Sequence, residues 1–588
     1  MTAAVSELTT APTPPPSSGK TGRVRRSPYV IGAVVISVAV VVLGSLIPLA
    51  MILKTAFSAE ALPRYGEFVT SWTDLSILRN TLVLGVLVGL CGTAVGFLFA
   101  FVQTRLDVPF KRVLHIIALV PIVSPPFAIA TATIVLYGRS GIITNGLFGL
   151  EYDIYGLDGL TFVLSVSFFP VAYLSLVGMM RALDPALEEA AMDMSAGRWR
   201  IFRTVQLPLL APGIAAAVLL LFVEALADLA NPLVLGGDYT VLASRAYLAV
   251  TGEFDTTSAA VYSVILLAPA VAMFMAQRYW LSGKVRTTVT GKPAGSVHLI
   301  RGWARWPIAG AAYLIALVIL TLYATVILGG FTEVFGINNK FTLRHFNEVL
   351  FGQGQEAVGD TALLAAIATP IAGLLGVVIA WLVVRQLRAT ASWLDFIGTL
   401  GIAVPGTVYG IGYVLAYRTD WEIGPFTLIP SLVGGTAMFG GSLAIVLSFV
   451  IRSMPAGQRT AVGALAQLHP SIEQASADLG AGQATTFRRI TLPLIRPALL
   501  TGLCYSFARC MTTVSTVVFL VTPETKIMTS QILNASNNGR YGVAFAYCTV
   551  LTVLVLLAFG VIRLLLGSTA ALNRVASPMS TTRRVRGE

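Results

Sequence analysis

The sequence predicts an all-α, polytopic membrane protein with about twelve transmembrane helices in two tandem six-helix repeats. Three observations lead to this prediction. Hydrophobic residues form 56% of the 588-residue chain and charged residues only 12%, the mean hydropathy is +0.79, and long apolar runs recur from end to end. A soluble domain needs more polar surface than this. An apolar helix of ~20 residues crosses the ~30 Å hydrocarbon core of a bilayer.

Six apolar runs fall in each half of the chain. The predicted spans are 29–53, 79–104, 113–137, 159–181, 209–230, 259–281, 307–329, 360–384, 394–417, 433–453, 494–519 and 543–566. The first run follows a Pro/Ser/Thr-rich tail and has no small-residue cleavage site that we recognise. We therefore interpret it as a retained span rather than a signal peptide.

The basic residues predict the orientation. With the N-terminus inside, 29 of the 40 lysines and arginines fall in inner segments and 10 in outer segments, and Arg509 falls inside a span. This positive-inside bias predicts that both termini are cytoplasmic. Because the charges are scattered over short loops, a nucleic-acid-binding surface is not predicted.

Cysteine and histidine offer no recognisable site. The residues concerned are Cys91, Cys504, Cys510, Cys548, His115, His298, His345 and His469. The cysteines lie in or beside spans and the histidines are dispersed, so the pattern favours neither a disulfide framework nor a thiolate metal site. The sequence predicts no cofactor and leaves any metal-binding residues unassigned.

The second half of the chain repeats the first. An offset of 280 aligns Gly96 with Gly376, Ala100 with Ala380, Arg105 with Arg385 and Pro125 with Pro405. The two prolines fall midway along the third span of each half, where the broken helix could be a packing kink or could line a cavity. Both interpretations stay open.

The repeat divides the chain into five parts. The predicted parts are a disordered cytoplasmic tail (1–28), a first six-span repeat (29–283), a basic cytoplasmic linker (284–306), a second six-span repeat (307–568) and a cytoplasmic tail (569–588). An even number of spans gives both repeats the same orientation, so the loops between their fourth and fifth spans both face the cytoplasm.

Those two loops, which we call the polar islands (184–208 and 469–493), are the most similar parts of the repeats. At an offset of 285, 11 of 27 positions are identical from Glu188 onward. The identical pairs are Glu188/Glu473, Ala190/Ala475, Asp193/Asp478, Ala196/Ala481, Gly197/Gly482, Phe202/Phe487, Arg203/Arg488, Leu207/Leu492, Pro208/Pro493, Leu209/Leu494 and Pro212/Pro497.

Each island has the pattern of a helix, a bend and a second helix. Asp184-Pro185 supplies an N-cap acceptor and a first-turn proline, and small residues at Ser195-Ala196-Gly197 interrupt the helix. Such an element could dock another protein or lie in the lipid headgroups. Two copies, each followed by glycine and then LPLxxP, favour docking.

This pattern resembles the cytoplasmic coupling loop of ATP-binding-cassette importer permeases of the type I fold, and the resemblance covers roughly residues 75–285 and 355–568. In that family the loop inserts into the ATPase subunit. The matching residues are Glu188, Glu189, Ala190, Ala191, Ser195, Gly197, Glu473, Gln474, Ala475, Gly480 and Gly482. Ser195 stands where the family usually has glycine, and Gln474 replaces the usual glutamate.

The resemblance implies a non-enzymatic translocation subunit in a bacterial inner membrane, surrounded by lipid. The phosphate-binding pattern G-x-x-x-x-G-K-[ST] is absent from the sequence, since the Gly19-Lys20-Thr21 stretch has Pro14 in place of its first glycine. ATP hydrolysis would therefore come from a partner ATPase, expected as a homodimer because there are two islands. An extracytoplasmic binding protein would deliver the substrate.

Fusion of both repeats in one chain resembles the ferric-iron importer permeases. Three segments are similar to that group: NPLVLGGDYTVLASRAYLAV, RTTVTGK and MTTVSTVVFLVTPETKIMTSQIL. Fused permeases for thiamine, phosphonates or sugar phosphates remain alternatives.

Two charges inside spans suggest the pathway. Glu224 and Arg509 each lie sixteen residues after the proline of LPL, at equivalent positions of the repeat. Burying one such charge alone costs about 2.5–3.5 kcal/mol, so both should face the bundle interior. We expect them to meet near the central axis, either as a structural ion pair or as an outer gate. Asp228 would add negative charge near the outer mouth.

A proton-coupled carrier is an alternative of another class, because intramembrane carboxylates also occur in such proteins. A scaffold is a third. A carrier has no use for two matched docking elements, so the islands favour the ATP-driven importer.

Overall fold

The computed structural model describes residues 28–281, 299–387 and 391–567. The predicted tail 1–28 except Pro28, the predicted tail 569–588 and most of the linker 284–306 lie outside these residues. In the first half the helices are Pro28–Val41, Ile47–Ala56, Leu62–Thr70, Trp72–Arg105, Lys111–Val123, Pro126–Tyr137, Leu157–Ala182, Pro185–Asp193, Arg198–Ile201, Leu207–Ala227, Ala230–Leu235, Leu242–Thr251 and Thr256–Met275.

In the second half the helices are Arg305–Gly330, Arg344–Phe351, Gln355–Trp381, Ala391–Ala403, Gly406–Tyr417, Ser442–Gln467, Ser471–Asp478, Gln483–Thr486, Leu492–Leu494, Arg496–Thr512, Met528–Asn537 and Tyr541–Gly567. Wider π-helical or tighter 3₁₀ turns extend or link them at Val42–Leu46, Ile142–Leu147, Phe202–Gln206, Ala276–Leu281, Leu382–Gln386, Met438–Gly441, Phe487–Thr491 and Val517–Phe519. Two antiparallel hairpins pair Thr332–Val334 with Asn338–Phe341 and Trp421–Ile423 with Phe426–Ile429.

The predicted all-α membrane fold is confirmed. Within the described ranges, ten helices are long and apolar enough to cross a membrane, and two bent pairs raise the number to twelve. One bent pair turns by 103° between Ala403 and Gly406, and the other turns by 76° at Ile495. The predicted third spans are thus not continuous helices: in each half the helix stops before a proline, Pro125 or Pro405, and restarts after it.

The predicted tenth span, 433–453, was placed too early. The helix runs from Ser442 to Gln467, and the predicted residues before it form a loop and the 3₁₀ turn Met438–Gly441. Hydropathy averaged over a window could not separate this apolar loop from the helix. Arg452 therefore lies near the middle of a helix, whereas the predicted span would end beside it.

The first span of each half packs against the other half. Ser45 and Tyr409 share a hydrogen bond of 2.6 Å between hydroxyl oxygens, and the Tyr413 hydroxyl donates to the Gly44 carbonyl at 2.9 Å. In the second half, Tyr323 on Arg305–Gly330 shares a hydrogen bond with Ser124. Because each first span crosses over, the halves form one bundle rather than two linked domains.

The described end of the linker also contacts the first half. The Ile300 amide donates to the Arg105 carbonyl at 2.8 Å, and the Asp107 amide donates to the Ile300 carbonyl at 3.2 Å. Arg301 Nε lies 3.1 Å from Asp107 Oδ2. The chain entering the second half is therefore attached beside the first polar island.

Equivalent glycines allow the second and fourth spans of each half to cross closely. A Cβ added at Gly96 would lie 2.9 Å from the Tyr173 backbone nitrogen, and one at Gly376 would lie 2.8 Å from the Met454 carbonyl oxygen. Gly178, also in a helix, has nothing within 4 Å of such a Cβ. Glycine is thus required sterically at the first two positions and not at the third.

We expect Gly96→Ala and Gly376→Ala each to destabilise the protein by about 1–3 kcal/mol, because backbone atoms must move apart. Gly178→Ala should instead stabilise it by about 0.5–1 kcal/mol through helix propensity alone. Thermal unfolding of the detergent-solubilised protein measures all three. Three identical melting temperatures would contradict this view of the crossing.

Candidate functional site: the polar islands and a charged cavity

Each polar island folds as a short helix, a bend and a second short helix. In the first island, Asp184 Oδ1 accepts a hydrogen bond from the Ala186 amide at 3.0 Å and so caps the helix Pro185–Asp193. In the second, the helix Ser471–Asp478 follows Pro470 without a side-chain cap. The elements that the sequence predicts for the islands are therefore present in both copies.

The bend of each island has a left-handed residue at the equivalent position. Ser195 has φ of +60° and Gly480 has φ of +82°. Gly197 and Gly482, two residues later, have φ of −67° and −70° and begin the second helices. A Cβ at either would meet no atom within 4 Å. The backbone conformation thus favours glycine at the first position, where the first island has Ser195, and a side chain at the second position would meet open space.

The separate substitutions Ser195→Gly and Gly480→Ser should have opposite effects on the stability of their islands. A non-glycine residue in the left-handed region costs about 1–2 kcal/mol, so Ser195→Gly should slow amide hydrogen exchange across its island and Gly480→Ser should speed it. Since a Cβ at Gly480 would meet nothing within 4 Å, the backbone conformation alone is tested. Equal exchange in both variants and the parent would contradict the assignment.

Each island has a large exposed apolar side chain just before its bend, a position that we call the tip of the island. Met194 and Leu479 are equivalent in the repeat, and they are 78% and 89% exposed. Trp199 is 72% exposed on the first island. Ala190, Gln474 and Ala475 are exposed as well, whereas Ala191 is buried against the protein. Glu189 is partly exposed. Each island thus leaves one large apolar side chain exposed at the same position of the repeat.

A buried ion pair anchors the first island to the second span. Arg105 Nη1 lies 2.7 Å from Glu188 Oε1, and the two side chains are only 5% and 7% exposed. Arg105 is the last residue of the helix Trp72–Arg105. Glu188 therefore faces the transmembrane bundle, where it can position the island, and not the exposed tip.

The second island has the equivalent but looser anchor. Arg385 Nε lies 3.4 Å from Glu473 Oε1, with side chains 12% and 24% exposed. Arg385 Nη2 also donates to the Leu465 and Leu468 carbonyls, at 3.0 and 2.8 Å, and Thr491 donates to Glu473 at 3.1 Å. The repeat alignment already contained both anchors, Arg105/Arg385 and Glu188/Glu473, but the sequence analysis did not pair them.

A second group of charges lines a small cavity between the fifth spans. Arg509 Nη2 lies 3.3 Å from Glu224 Oε2 and 3.4 Å from Oε1, so the two charges meet as the repeat predicts. Their side chains are 26% and 15% exposed. The cavity measures about 60 Å³, and its lining is Phe127, Phe168, Glu224, Ala227, Asp228, Ala230, Arg452, Arg509, Thr512, Thr513, Val514 and Ser515.

Asp228 lines the same cavity but already has a partner. Its Oδ2 accepts hydrogen bonds from the Asn231 backbone amide at 3.0 Å and from Asn231 Nδ2 at 2.9 Å. Asp228 follows the helix Leu207–Ala227, and both bonds tie it to the first turn of the short helix Ala230–Leu235. The carboxylate is therefore partly committed to local structure.

Arg452 is the cavity residue that the sequence analysis missed. It is 9% exposed, and its Nη1 lies 3.5 Å from the Val404 carbonyl oxygen. The broken third spans also reach this region, since Phe127 lines the cavity and a Cβ at Gly406 would lie 3.2 Å from Arg452 Cζ. The proline breaks thus border the cavity, which favours the second of the two open interpretations.

The repeat matches a known family twice. Residues 92–287 and 372–569 match the family described as the binding-protein-dependent transport system inner membrane component. The chain belongs to this family. Both polar islands fall within the matched regions, and the predicted resemblance to importer permeases is confirmed. This permease is therefore a multi-pass inner-membrane protein. It is the translocation subunit of a binding-protein-dependent transport system.

Named relatives of the permease transport different ions. It is 34% identical to the ferric transport system permease protein FbpB of Actinobacillus pleuropneumoniae, over 82% of this chain and 69% of that protein. It is also 34% identical to the putative ferric transport system permease protein FbpB 1 of Haemophilus influenzae, over 77% of this chain and 71% of that protein. The molybdenum transport system permease protein ModB of Escherichia coli K12 is 30% identical, over 29% of this chain and 70% of that protein.

Proposed function

We propose that this permease is the transmembrane subunit of an ATP-driven importer for ferric iron. The observation that carries the ATP-driven part is the pair of equivalent islands, each anchored to a transmembrane helix and each with an exposed apolar tip. The ferric assignment rests on the two ferric permease relatives that align over most of the chain. The match to the molybdenum permease ModB supports molybdenum as a second candidate substrate, but it spans only 29% of the chain.

Each island docks one subunit of an ATPase homodimer on the cytoplasmic side. Met194 and Leu479 insert into the two ATPase subunits, and the bends at Ser195 and Gly480 set the angle of the inserted helices. The ion pairs Arg105–Glu188 and Arg385–Glu473 carry the motion of the islands to the second spans. Closure of the ATPase dimer then favours one conformation of the bundle over another.

Glu224 and Arg509 form the outer gate of this importer. Their contact joins the fifth spans of the two repeats, so it must lengthen when those spans separate. An extracytoplasmic binding protein delivers ferric iron at this end, and the gate closes behind it. Both termini lie in the cytoplasm, as the positive-inside bias predicts.

Copurification tests the docking. The double variant Met194→Asp, Leu479→Asp places a charge on each exposed tip, where folding does not require an apolar residue. Phe351→Asp is the matched control, since Phe351 is also 78% exposed but lies beyond the outer end of the seventh span. We expect the parent and control to retain a copurified ATPase and the double variant to lose it. An ATPase retained by all three would refute docking at the islands.

A further inference from the structure

Arg452 is a buried guanidinium without a carboxylate partner. Its side chain lines the cavity, and no carboxylate oxygen among the described residues lies within 4 Å of its nitrogen atoms. Its buried Nε donates to no partner, and its Nη1 has only the 3.5 Å contact with the Val404 carbonyl oxygen. A buried guanidinium is stable only when its charge and hydrogen-bonding groups are satisfied. Something that enters the cavity can satisfy it.

The cavity's carboxylates are already in use. Glu224 contacts Arg509, and Asp228 accepts two hydrogen bonds from Asn231. A bare multivalent cation entering the cavity would face two guanidinium groups and would compete for both carboxylates. A ligand that brings negative oxygen atoms would instead meet Arg452 directly.

The repeat shows that the fold does not need an arginine here. At the offset of 285, Ser167 occupies the position of Arg452, and the nearby helix prolines Pro170 and Pro455 correspond in the same way. The Ser167 hydroxyl donates to the Val163 carbonyl within its own helix at 2.7 Å. The same helix crossing is therefore built in the first half without a buried charge.

The cavity has room for a small ligand. About 60 Å³ holds several water molecules, since one water needs roughly 10–15 Å³ measured in this way. An inorganic oxyanion replaces a few waters. Ser515 and Thr512 add hydroxyl groups to the lining.

We propose that Arg452 and the neighbouring Arg509 form a subsite for a small inorganic oxyanion in this cavity. Guanidinium groups suit this ligand because their planar N–H donors match oxyanion geometry. The oxyanion binds either free or as a ligand carried on ferric iron. The second form rests on the proposed function, whereas the first does not.

Equilibrium binding of radiolabelled phosphate to the purified full chain in lipid nanodiscs tests the subsite. We expect saturable binding by the parent, and binding weaker by about tenfold or more in Arg452→Gln, because charge-assisted hydrogen bonds are lost. Arg452→Lys keeps the charge and should bind with intermediate affinity. Arg459→Gln removes a guanidinium seven residues further along the same helix, outside the cavity lining, and should bind like the parent.

Two arms, without and with ferric iron, distinguish the sources of the oxyanion. Binding in both arms indicates the free ion, and binding only with ferric iron indicates an oxyanion carried on the metal. No binding by the parent in either arm, or equal binding by Arg452→Gln and the parent, would overturn the subsite. Melting temperatures check that each variant is folded, and Arg452→Lys replaces Arg452→Gln if the latter unfolds. Because phosphate binding needs no ATPase, its outcome is separate from that of iron uptake.

Discussion

Glu188→Ala is expected to abolish transport and to destabilise the permease by about 3–5 kcal/mol, because it leaves the Arg105 guanidinium buried and unpaired. The equivalent change Glu473→Ala should cost less. The second pair is longer and more exposed, and Arg385 keeps its bonds to the Leu465 and Leu468 carbonyls. Thermal unfolding and substrate uptake measure the two variants side by side.

A double replacement separates stability from coupling. Arg105→Met combined with Glu188→Met removes both charges, and such an apolar exchange is often neutral for stability. If the pair transmits motion from the island, this double variant should fold and keep its ATPase but transport poorly. A double variant that transports like the parent would limit the pair to a structural role. Equal losses of stability in Glu188→Ala and Glu473→Ala would contradict the burial argument.

Glu224→Gln should release the outer gate. The neutral amide removes the charge attraction to Arg509, so the closed state loses stabilisation relative to the open one. We expect ATP hydrolysis by the reconstituted complex to rise several-fold without binding protein, and uptake to fall by about tenfold, since a 1.4 kcal/mol shift changes an equilibrium tenfold. ATPase assays and uptake in proteoliposomes measure both effects.

The charge exchange Glu224→Arg, Arg509→Glu is the control for the gate. It keeps the ion pair and reverses its direction, so basal hydrolysis should return toward the parent value. Unchanged uptake in Glu224→Gln would remove the gating role and leave a structural ion pair. Unchanged uptake together with unchanged stability in Glu224→Gln would exclude both the gating role and the structural role.

The sequence predicted those parts of the site that depend on large free-energy effects within a short segment of the chain. A charge inside an apolar run is expensive, which is why Glu224 and Arg509 could be placed inside the bundle before their distance was known. The start of the helix in the first island could be predicted from Asp184-Pro185, because caps and first-turn prolines act within a few residues. The six-span repeat followed from hydropathy and from identities at two fixed offsets.

The missed features depend on contacts between distant segments. Arg452 was not singled out, because the apolar loop before Ser442 resembles membrane-spanning sequence and shifted the predicted span to 433–453. Asn231 gave no signal as the partner of Asp228, since an asparagine beside a proline is an ordinary helix-start residue. Composition cannot show that each first span crosses to the other half. That arrangement depends on side-chain packing, as in the contact of Ser45 with Tyr409.

The most direct test of ferric import is uptake of radiolabelled ferric iron by cells that lack this chain but keep its ATPase and binding protein. The cells must have no second iron route. We predict that uptake is lost, is restored by the parent chain, and is not restored by the double variant Met194→Asp, Leu479→Asp. Iron uptake that continues unchanged without the chain would contradict the ferric assignment and would move the substrate to another solute of the same importer class.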